Sequence, residues 1–537
     1  MTRARTSPGI VIATVLGVAV PVAFLGVFFA WPVGAMIGRG FADGLGGFGE
    51  VFSRPRTIRL IGFTLGQAAL ASGICVVLGL PVAHVLYRLR FRGRGLLRAL
   101  VILPFVLPTV VVGVAFRTLL RDTPLDGTFA AILLALVFFN VAVVVRTVGS
   151  AWEGLDPRQE DAARVLGASP ARVFATITLP RLGPSIAAAS SIVFLFCATA
   201  FGVVLVLGGT KFGTIETEIY LLTTQFLDLR AASVLSVTQL VIVVALLAVV
   251  GRVRGSTQRR VTAARRPRRT DAPAIAAAAL ITAALAVPVL ALVERSLRTS
   301  TGYGFDNFAL LSGTGSRNAL VVPVWVALGN SLGTAVQATV LAVGIGLVAS
   351  LVLSRSPRSL LARRALGALD GALLLPLGIS AVTVGFGFLI TLNQPPFDLR
   401  SSPILVPIAQ ALVALPLVVR TVLPVLKSID PRLRESAAVL GATPWRVLRD
   451  VDLSIVARPV LAASGFAFAV ALGEFGATSF LARPDRPTLP VVIYRLIGLP
   501  GGDNFGMAIA ASVVLAVVTV AVIALVERLR VDTVGAF

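Results

Sequence analysis

Charge is scarce in this chain. Only 14% of its 537 residues are charged, while 56% are hydrophobic; a soluble globular protein carries about 25% charged residues. That imbalance excludes a string of soluble domains and points to a polytopic membrane protein. Cysteine is nearly absent. Cys75 and Cys197 both fall inside apolar stretches, and neither is spaced to the other or to the sole histidine, His84, as a zinc site or disulfide framework requires. All three read as packing residues, and no metal site is expected. Lysine is confined to Lys211 and Lys427, so nearly all the positive charge is arginine. The net charge of +23 raises nucleic acid as a partner. The basic residues, however, punctuate apolar segments instead of forming a face with readout chemistry, which argues against it. No Gly-Lys dipeptide occurs, so the chain has no phosphate-binding loop of the G-x-x-x-x-G-K-[ST] type. It also has no recognisable nucleophile–base–orienter set. Neither ATP hydrolysis nor other enzymatic chemistry is expected of it, nor any cofactor.

What is present is apolar length. Twelve stretches can span about 30 Å of hydrocarbon as helices: 10–31, 57–87, 99–120, 128–146, 184–208, 233–250, 273–293, 325–353, 369–392, 403–424, 456–481 and 506–526. The first follows Arg3 and Arg5 and is too long for a signal-peptide core, so it reads as a retained transmembrane helix. If the N-terminus is cytoplasmic, roughly two-thirds of the Lys and Arg residues fall on the inner side, as the positive-inside rule requires. Both termini are then cytoplasmic.

The chain is also a repeat. Asp161-Ala162-Ala163-Arg164-Val165-Leu166-Gly167-Ala168-Ser169-Pro170 returns 274 positions later as Glu435-Ser436-Ala437-Ala438-Val439-Leu440-Gly441-Ala442-Thr443-Pro444. Arg146-Thr147, Asp156-Pro157, Phe201-Gly202 and Ile219-Tyr220 recur at the same offset, and Pro104, Gly113 and Phe116 recur as Pro376, Gly385 and Phe388. An even number of spans separates the copies, so the repeat is parallel. The expected fold is an all-α polytopic membrane protein of about twelve transmembrane helices in two tandem six-helix halves. These are residues 1–251 and 273–537, joined by an arginine-rich cytoplasmic linker at 252–272.

Each repeated island is polar and lies in a loop on the cytoplasmic side, at 153–182 and 427–456. Asp156 or Asp430 suits a helix N-cap and the following Pro157 or Pro431 the first helical position. Gly167 or Gly441 can end that helix, and Ser169-Pro170 or Thr443-Pro444 can start another. Two short helices meeting at an elbow, with small residues on one face, would let another protein approach closely.

These islands resemble the EAA loops of binding-protein-dependent ABC importer permeases of the type I, MetI-like fold, whose motif reads roughly E-A-A-x-x-x-G-x9-I-x-L-P. The first copy follows the motif through Ile177-Thr178-Leu179-Pro180, with Asp161 for Glu. The second departs at Ser436 and at Ser454, where Pro is expected, so the two copies need not act equally. The resemblance implies that Asp161, Ala162, Ala163, Gly167, Glu435, Ser436, Ala437 and Gly441 couple the chain to an ABC ATP-binding subunit present in two copies. It also implies that an extracytoplasmic substrate-binding protein delivers a small solute, and that ATP is hydrolysed on the separate subunit. Val206-Leu207-Gly208-Gly209-Thr210, Thr214-Ile215-Glu216 and the Phe138-Phe139-Asn140 run look most like thiamine permeases. Ferric-iron permeases are the alternative, and a secondary transporter, which would need several intramembrane ionisable groups, a remote one. Glu474 is the one acid expected inside a span. An intramembrane carboxylate is a functional-site candidate by default; it is expected to face the pathway or to pair with an arginine such as Arg483.

Overall fold

A computed structural model describes residues 8–209, 211–253, 265–299, 302–355, 359–394 and 397–531. Twenty helices carry the architecture. In the first half they are α1 (Gly17–Gly40), α2 (Pro55–Arg88), α3 (Arg94–Val106), α4 (Thr109–Leu120), α5 (Phe129–Glu153), α6 (Arg158–Val165), α7 (Pro170–Ala198), α8 (Gly202–Gly208), α9 (Ile215–Thr224) and α10 (Leu229–Val253). The second half repeats the order: α11 (Ala272–Leu297), α12 (Val324–Leu353), α13 (Leu360–Gly378), α14 (Ala381–Thr391), α15 (Leu405–Ser428), α16 (Pro431–Val439), α17 (Pro444–Gly473), α18 (Thr478–Leu481), α19 (Leu489–Gly498) and α20 (Gly502–Val531). Helices whose labels differ by ten are equivalents. Among the described residues, strands are limited to two ribbons of two-residue strands, at 298–303 and 393–398. The all-α, polytopic expectation is met.

The helices that cross are those whose backbone groups are satisfied internally, as hydrocarbon demands. Ten are long and apolar enough to span alone among the described residues, and two bent pairs would bring the number to twelve. The bends correct the expected continuous spans. Stretch 99–120 is α3 and α4 meeting at 100°, and 369–392 is α13 and α14 meeting at 97°. In the first, Pro108 removes an amide donor and forces Leu107 into extended geometry (φ −65°, ψ 139°). In the second no proline stands at the break. Ile379 is extended (φ −99°, ψ 135°), and the Ser380 hydroxyl accepts the Val382 N–H at 3.0 Å, starting α14 afresh.

The expected spans 184–208 and 456–481 are also interrupted. Here α7 ends at Ala198 and α8 begins at Gly202, while α17 ends at Gly473 and α18 begins at Thr478. Each short helix packs on the second arm of the bent pair in its half, α8 on α4 and α18 on α14. The repeated glycines lie at these contacts. A methyl at Gly113 would lie 2.8 Å from Val206 Cβ, and one at Gly385 would lie 2.7 Å from Ala477 Cα. Close approach of helices in a membrane requires such small residues. Because the second contact is with backbone, Gly385→Val is expected to destabilise the detergent-solubilised protein by about 1–3 kcal/mol. A lowered thermal unfolding midpoint checks this.

The chain forms two compact units that do not coincide with the sequence halves. One comprises residues 1–42, 320–492 and 515–537; the other comprises 43–319 and 493–514. In the first unit α1 packs along α12, and Leu25 and Phe29 join a core with Phe388, Leu412 and Val419. In the second, α11 packs on α2, α3 and α4. The opening helix of each half thus belongs to the unit built mainly from the other half. An internal repeat shows which helices are equivalent, but apolar helix faces do not encode which copy they pack on.

Candidate functional site

Each unit carries one elbow, and the two are built alike. In the first, the Asp156 carboxylate accepts the Arg158 N–H at 3.0 Å and α6 runs to Val165. Gly167 then takes the left-handed conformation, φ +83°. This lets Gly167 N–H reach Arg164 O and Ala168 N–H reach Ala163 O, both at 3.0 Å. The Ser169 hydroxyl accepts the Arg172 N–H, and Pro170 opens α7. In the second, the Asp430 carboxylate accepts the Arg432 N–H at 2.9 Å. Gly441 again has φ +83°; Gly441 N–H reaches Ala438 O and Ala442 N–H reaches Ala437 O, both at 3.0 Å. The Thr443 hydroxyl accepts the Arg446 N–H, and Pro444 opens α17. Both second helices pass through a π-helical turn, Phe174–Thr178 and Leu448–Leu453, before entering their long span.

Each elbow carries its own set of the residues singled out by sequence. Asp161, Ala162 and Gly167, with Glu435, Ser436 and Gly441, are exposed, while Ala163 and Ala437 are half-buried. Ser454 does not alter the elbow: its hydroxyl donates to Arg449 O at 3.1 Å, and α17 continues. Two features had no role assigned from sequence. One is the apolar tip. Val165 and Leu166 are 86% and 87% exposed, and Val439 and Leu440 are both 87% exposed. A matched pair of bare aliphatic knobs is what a partner's groove would cover.

The other is a polar latch under each elbow. In the first, Glu160 on α6 accepts hydrogen bonds from the Thr178 hydroxyl (3.0 Å) and from Arg88 at the end of α2 (3.1 Å). Arg88 also donates to Leu155 O at 3.0 Å. In the second, the fully buried Asp452 accepts from Arg434 on α16 (2.7 Å) and from Arg355 just past α12 (2.9 Å). Position 434 is the repeat equivalent of 160, and 452 that of 178. The acid has therefore moved from the elbow to the span that follows it, where the first half has Thr178, and Arg434 takes its place on the elbow. The sequence signal was present, as a Glu/Thr pair in one half that becomes Arg/Asp in the other, but only the fold shows that the two positions meet.

Glu474 is buried beyond the last turn of α17. One carboxylate oxygen accepts the Ala477 N–H at 2.7 Å; the other accepts the Thr478 N–H at 3.0 Å and the Thr478 hydroxyl. It starts α18. Arg483, the expected partner, instead holds Asp485 at 2.9 Å and Ser401 O at 2.6 Å. That contact keeps the Asp485 carboxyl below its ordinary range. Losing a capping acceptor costs about 0.5–2 kcal/mol, so Glu474→Ala is expected to lower the thermal midpoint. Glu474→Gln, which keeps one carbonyl acceptor, should lower it less.

Residues 254–264 of the expected linker lie outside the described residues. Its described end is tied to α2: Arg265 N–H donates to Arg88 O at 3.0 Å, and Arg90 N–H donates to Arg265 O at 2.8 Å. The Arg265 guanidinium forks onto Asp271 at 2.7 and 2.8 Å.

A family model described as binding-protein-dependent transport system inner membrane component matches residues 75–298 and 371–531. Over 492 residues the chain is 27% identical to thiamine transport system permease protein ThiP of Brucella abortus (strain 2308), covering 87% of each chain. It is 28% identical over 465 residues to the ThiP of Escherichia coli (strain K12), covering 82% of this chain and 83% of that one. A more local likeness, 36% over 172 residues, links it to the sulfate transport system permease protein CysT of Escherichia coli (strain K12), covering 30% of this chain and 62% of that one. With the family model matching more than half of its length, and two matched segments following the internal repeat, the chain belongs to the binding-protein-dependent transport system inner membrane components, as a fused two-half ABC permease.

Proposed function

We propose that this chain forms the translocation pathway of an ATP-driven importer whose cargo is thiamine. The observation that carries the coupling role is the pair of elbows. Their glycines share one φ, their closing hydrogen bonds share one length, and both tips present Val-Leu at 86–87% exposure. Two equal knobs fit two copies of one partner, an ATP-binding subunit under each elbow. Closure of those subunits on ATP draws the elbows together and reopens the pathway toward the binding protein. The elbows and both termini face the cytoplasm in this reading, which the arginine distribution supports. Thiamine as cargo is supported by the relatives that match along most of the chain.

The test is reconstitution of the permease with its ATP-binding subunits and cognate binding protein in proteoliposomes. ATP-dependent accumulation of labelled thiamine is expected. Ferric ion or sulfate accumulating in its place, with no thiamine uptake, would overturn the cargo assignment.

A further inference from the structure

A cavity of about 560 Å³ lies against the first elbow, wholly inside the unit made of residues 43–319 and 493–514. Its walls come from α2, the end of α5, the elbow, the linker end and the first turn of α11. Its size falls in the range of about 300–1,000 Å³ for small-ligand sites. Asp161, Ala162 and Gly167 are not among its lining residues, so it is separate from the elbow's coupling surface.

The lining has two chemistries. One part is apolar and reaches hydrocarbon depth. Leu80, Pro81 and Ala274 line it, and Pro81 lies about 10 Å inside the end of α2. An aromatic row adds to it: His84 and Trp152 have ring centroids 5.1 Å apart, and Trp152 and Phe174 6.0 Å. The other part is charged, with four guanidiniums (Arg164, Arg265, Arg268, Arg269) and two carboxylates (Glu160, Asp271). Both carboxylates are answered within the chain. Glu160 is held by Arg88, Thr178 and Arg164. Asp271 is held by the Arg265 fork and the Arg268 N–H, with His84 at 3.2 Å. Arg268 and Arg269 are exposed, and among the described residues no carboxylate lies within 4.0 Å of either guanidinium.

A soluble anion would answer these two arginines and leave the apolar part empty. An uncharged chain would fill the apolar part and leave the arginines unanswered. An anionic amphiphile meets both demands, and basic pockets between spans suit anionic lipid headgroups. We propose that the cavity holds one anionic phospholipid from the leaflet on the elbow side. Its phosphate sits on Arg268 and Arg269, and its upper acyl chain lies against Leu80, Pro81 and Ala274. The lipid then bridges the linker end and the first elbow. The linker end occurs once in the chain, so the site serves the first elbow alone. This assignment is independent of the cargo.

The test uses the full chain in phosphatidylcholine vesicles. Trp31→Phe, Trp325→Phe and Trp445→Phe leave Trp152, which lines the cavity, as the remaining tryptophan. Phosphatidylglycerol spin-labelled near the head of its acyl chain is titrated in, and quenching of Trp152 is read. Half-maximal quenching is expected at a mole fraction at least tenfold below that for phosphatidylcholine labelled in the same way. A basic residue close to an anionic lipid is worth about fivefold in affinity. Arg268→Gln/Arg269→Gln is therefore expected to raise the half-quenching mole fraction roughly 25-fold, with the thermal midpoint in phosphatidylcholine unchanged. Ala274→Phe keeps both charges but fills the apolar part, and should also remove the preference. Equal quenching by the two labelled lipids, or a preference undiminished in either variant, would overturn the site. Inorganic phosphate at constant ionic strength should leave the quenching in place. Loss of quenching in phosphate would mark a site for a soluble anion and overturn the lipid as occupant.

Discussion

Changing Glu160 to Arg uncouples the first elbow, and adding Thr178→Asp recovers it. In the native latch Glu160 balances Arg88, whose side chain is only 9% exposed, and accepts from Thr178. Glu160→Arg alone leaves the buried Arg88 facing a second guanidinium without an acid, while Arg164 keeps only Asp161 at 3.1 Å. Removing one partner of a buried ion pair costs about 3–5 kcal/mol, enough to detach α6 from the start of α7. Thr178→Asp alone sets a second carboxylate beside Glu160 and is milder, because Arg88 can answer one of them. Together the two changes rebuild the arrangement already present in the other elbow, where Arg434 and Arg355 share Asp452. Ala438 stands at the position equivalent to Arg164, so Arg164→Ala should complete the recovery. The readout is thiamine uptake per ATP hydrolysed. Near-background uptake is expected for Glu160→Arg, more than half of wild-type uptake for the double variant, and near wild-type for the triple. If the double variant is no better than Glu160→Arg, the two latches are not interchangeable.

The elbows were legible in the sequence because capping chemistry is local. Asp156, Pro157, Gly167 and Ser169 act within a few residues of where they stand, and their conformations follow from residue type. Ten of the spans were legible for a similar reason, since hydrocarbon fixes helix length. The breaks were less so. Pro108 signalled one bend, whereas the equivalent bend at Ile379 carries only a serine cap, which any loop could have supplied. Glu474 shows the limit most clearly. Its position in an apolar run marked it as unusual, but its carboxylate is satisfied by amides three and four residues on. Composition does not reveal a helix start inside a span. The latches and the grouping of α1 with α12 depend on pairings distant in sequence, and no local pattern encodes them.

Replacing Gly167 or Gly441 by aspartate should abolish coupled transport to the same extent. The motif ends differently in the two halves, at Pro180 and at Ser454, which led to an expectation of unequal elbows. At the turns themselves the halves are matched. Both glycines sit at φ +83°, where an L-residue with a side chain is strained by roughly 1–2 kcal/mol. Each turn carries the two hydrogen bonds that close its short helix. No heavy atom lies within 4 Å of a methyl placed on either glycine, so the side chain itself meets no clash within the chain. The damage is expected from backbone strain at the turn and from a charge set beside the bare Val-Leu tip, where the proposed partner's groove would close. Strain alone would weaken coupling about 5- to 30-fold, since 1.36 kcal/mol is a factor of ten. A buried unpaired carboxylate at the interface adds several kcal/mol. Gly167→Asp and Gly441→Asp are each expected to reduce uptake at least tenfold while the permease remains folded, with ATP-binding subunits lost on purification. Gly→Asn, which tolerates the left-handed region and adds no charge, should retain a substantial part of transport at both sites. Loss at one site with normal transport at the other would show that the matched geometry does not bring matched function.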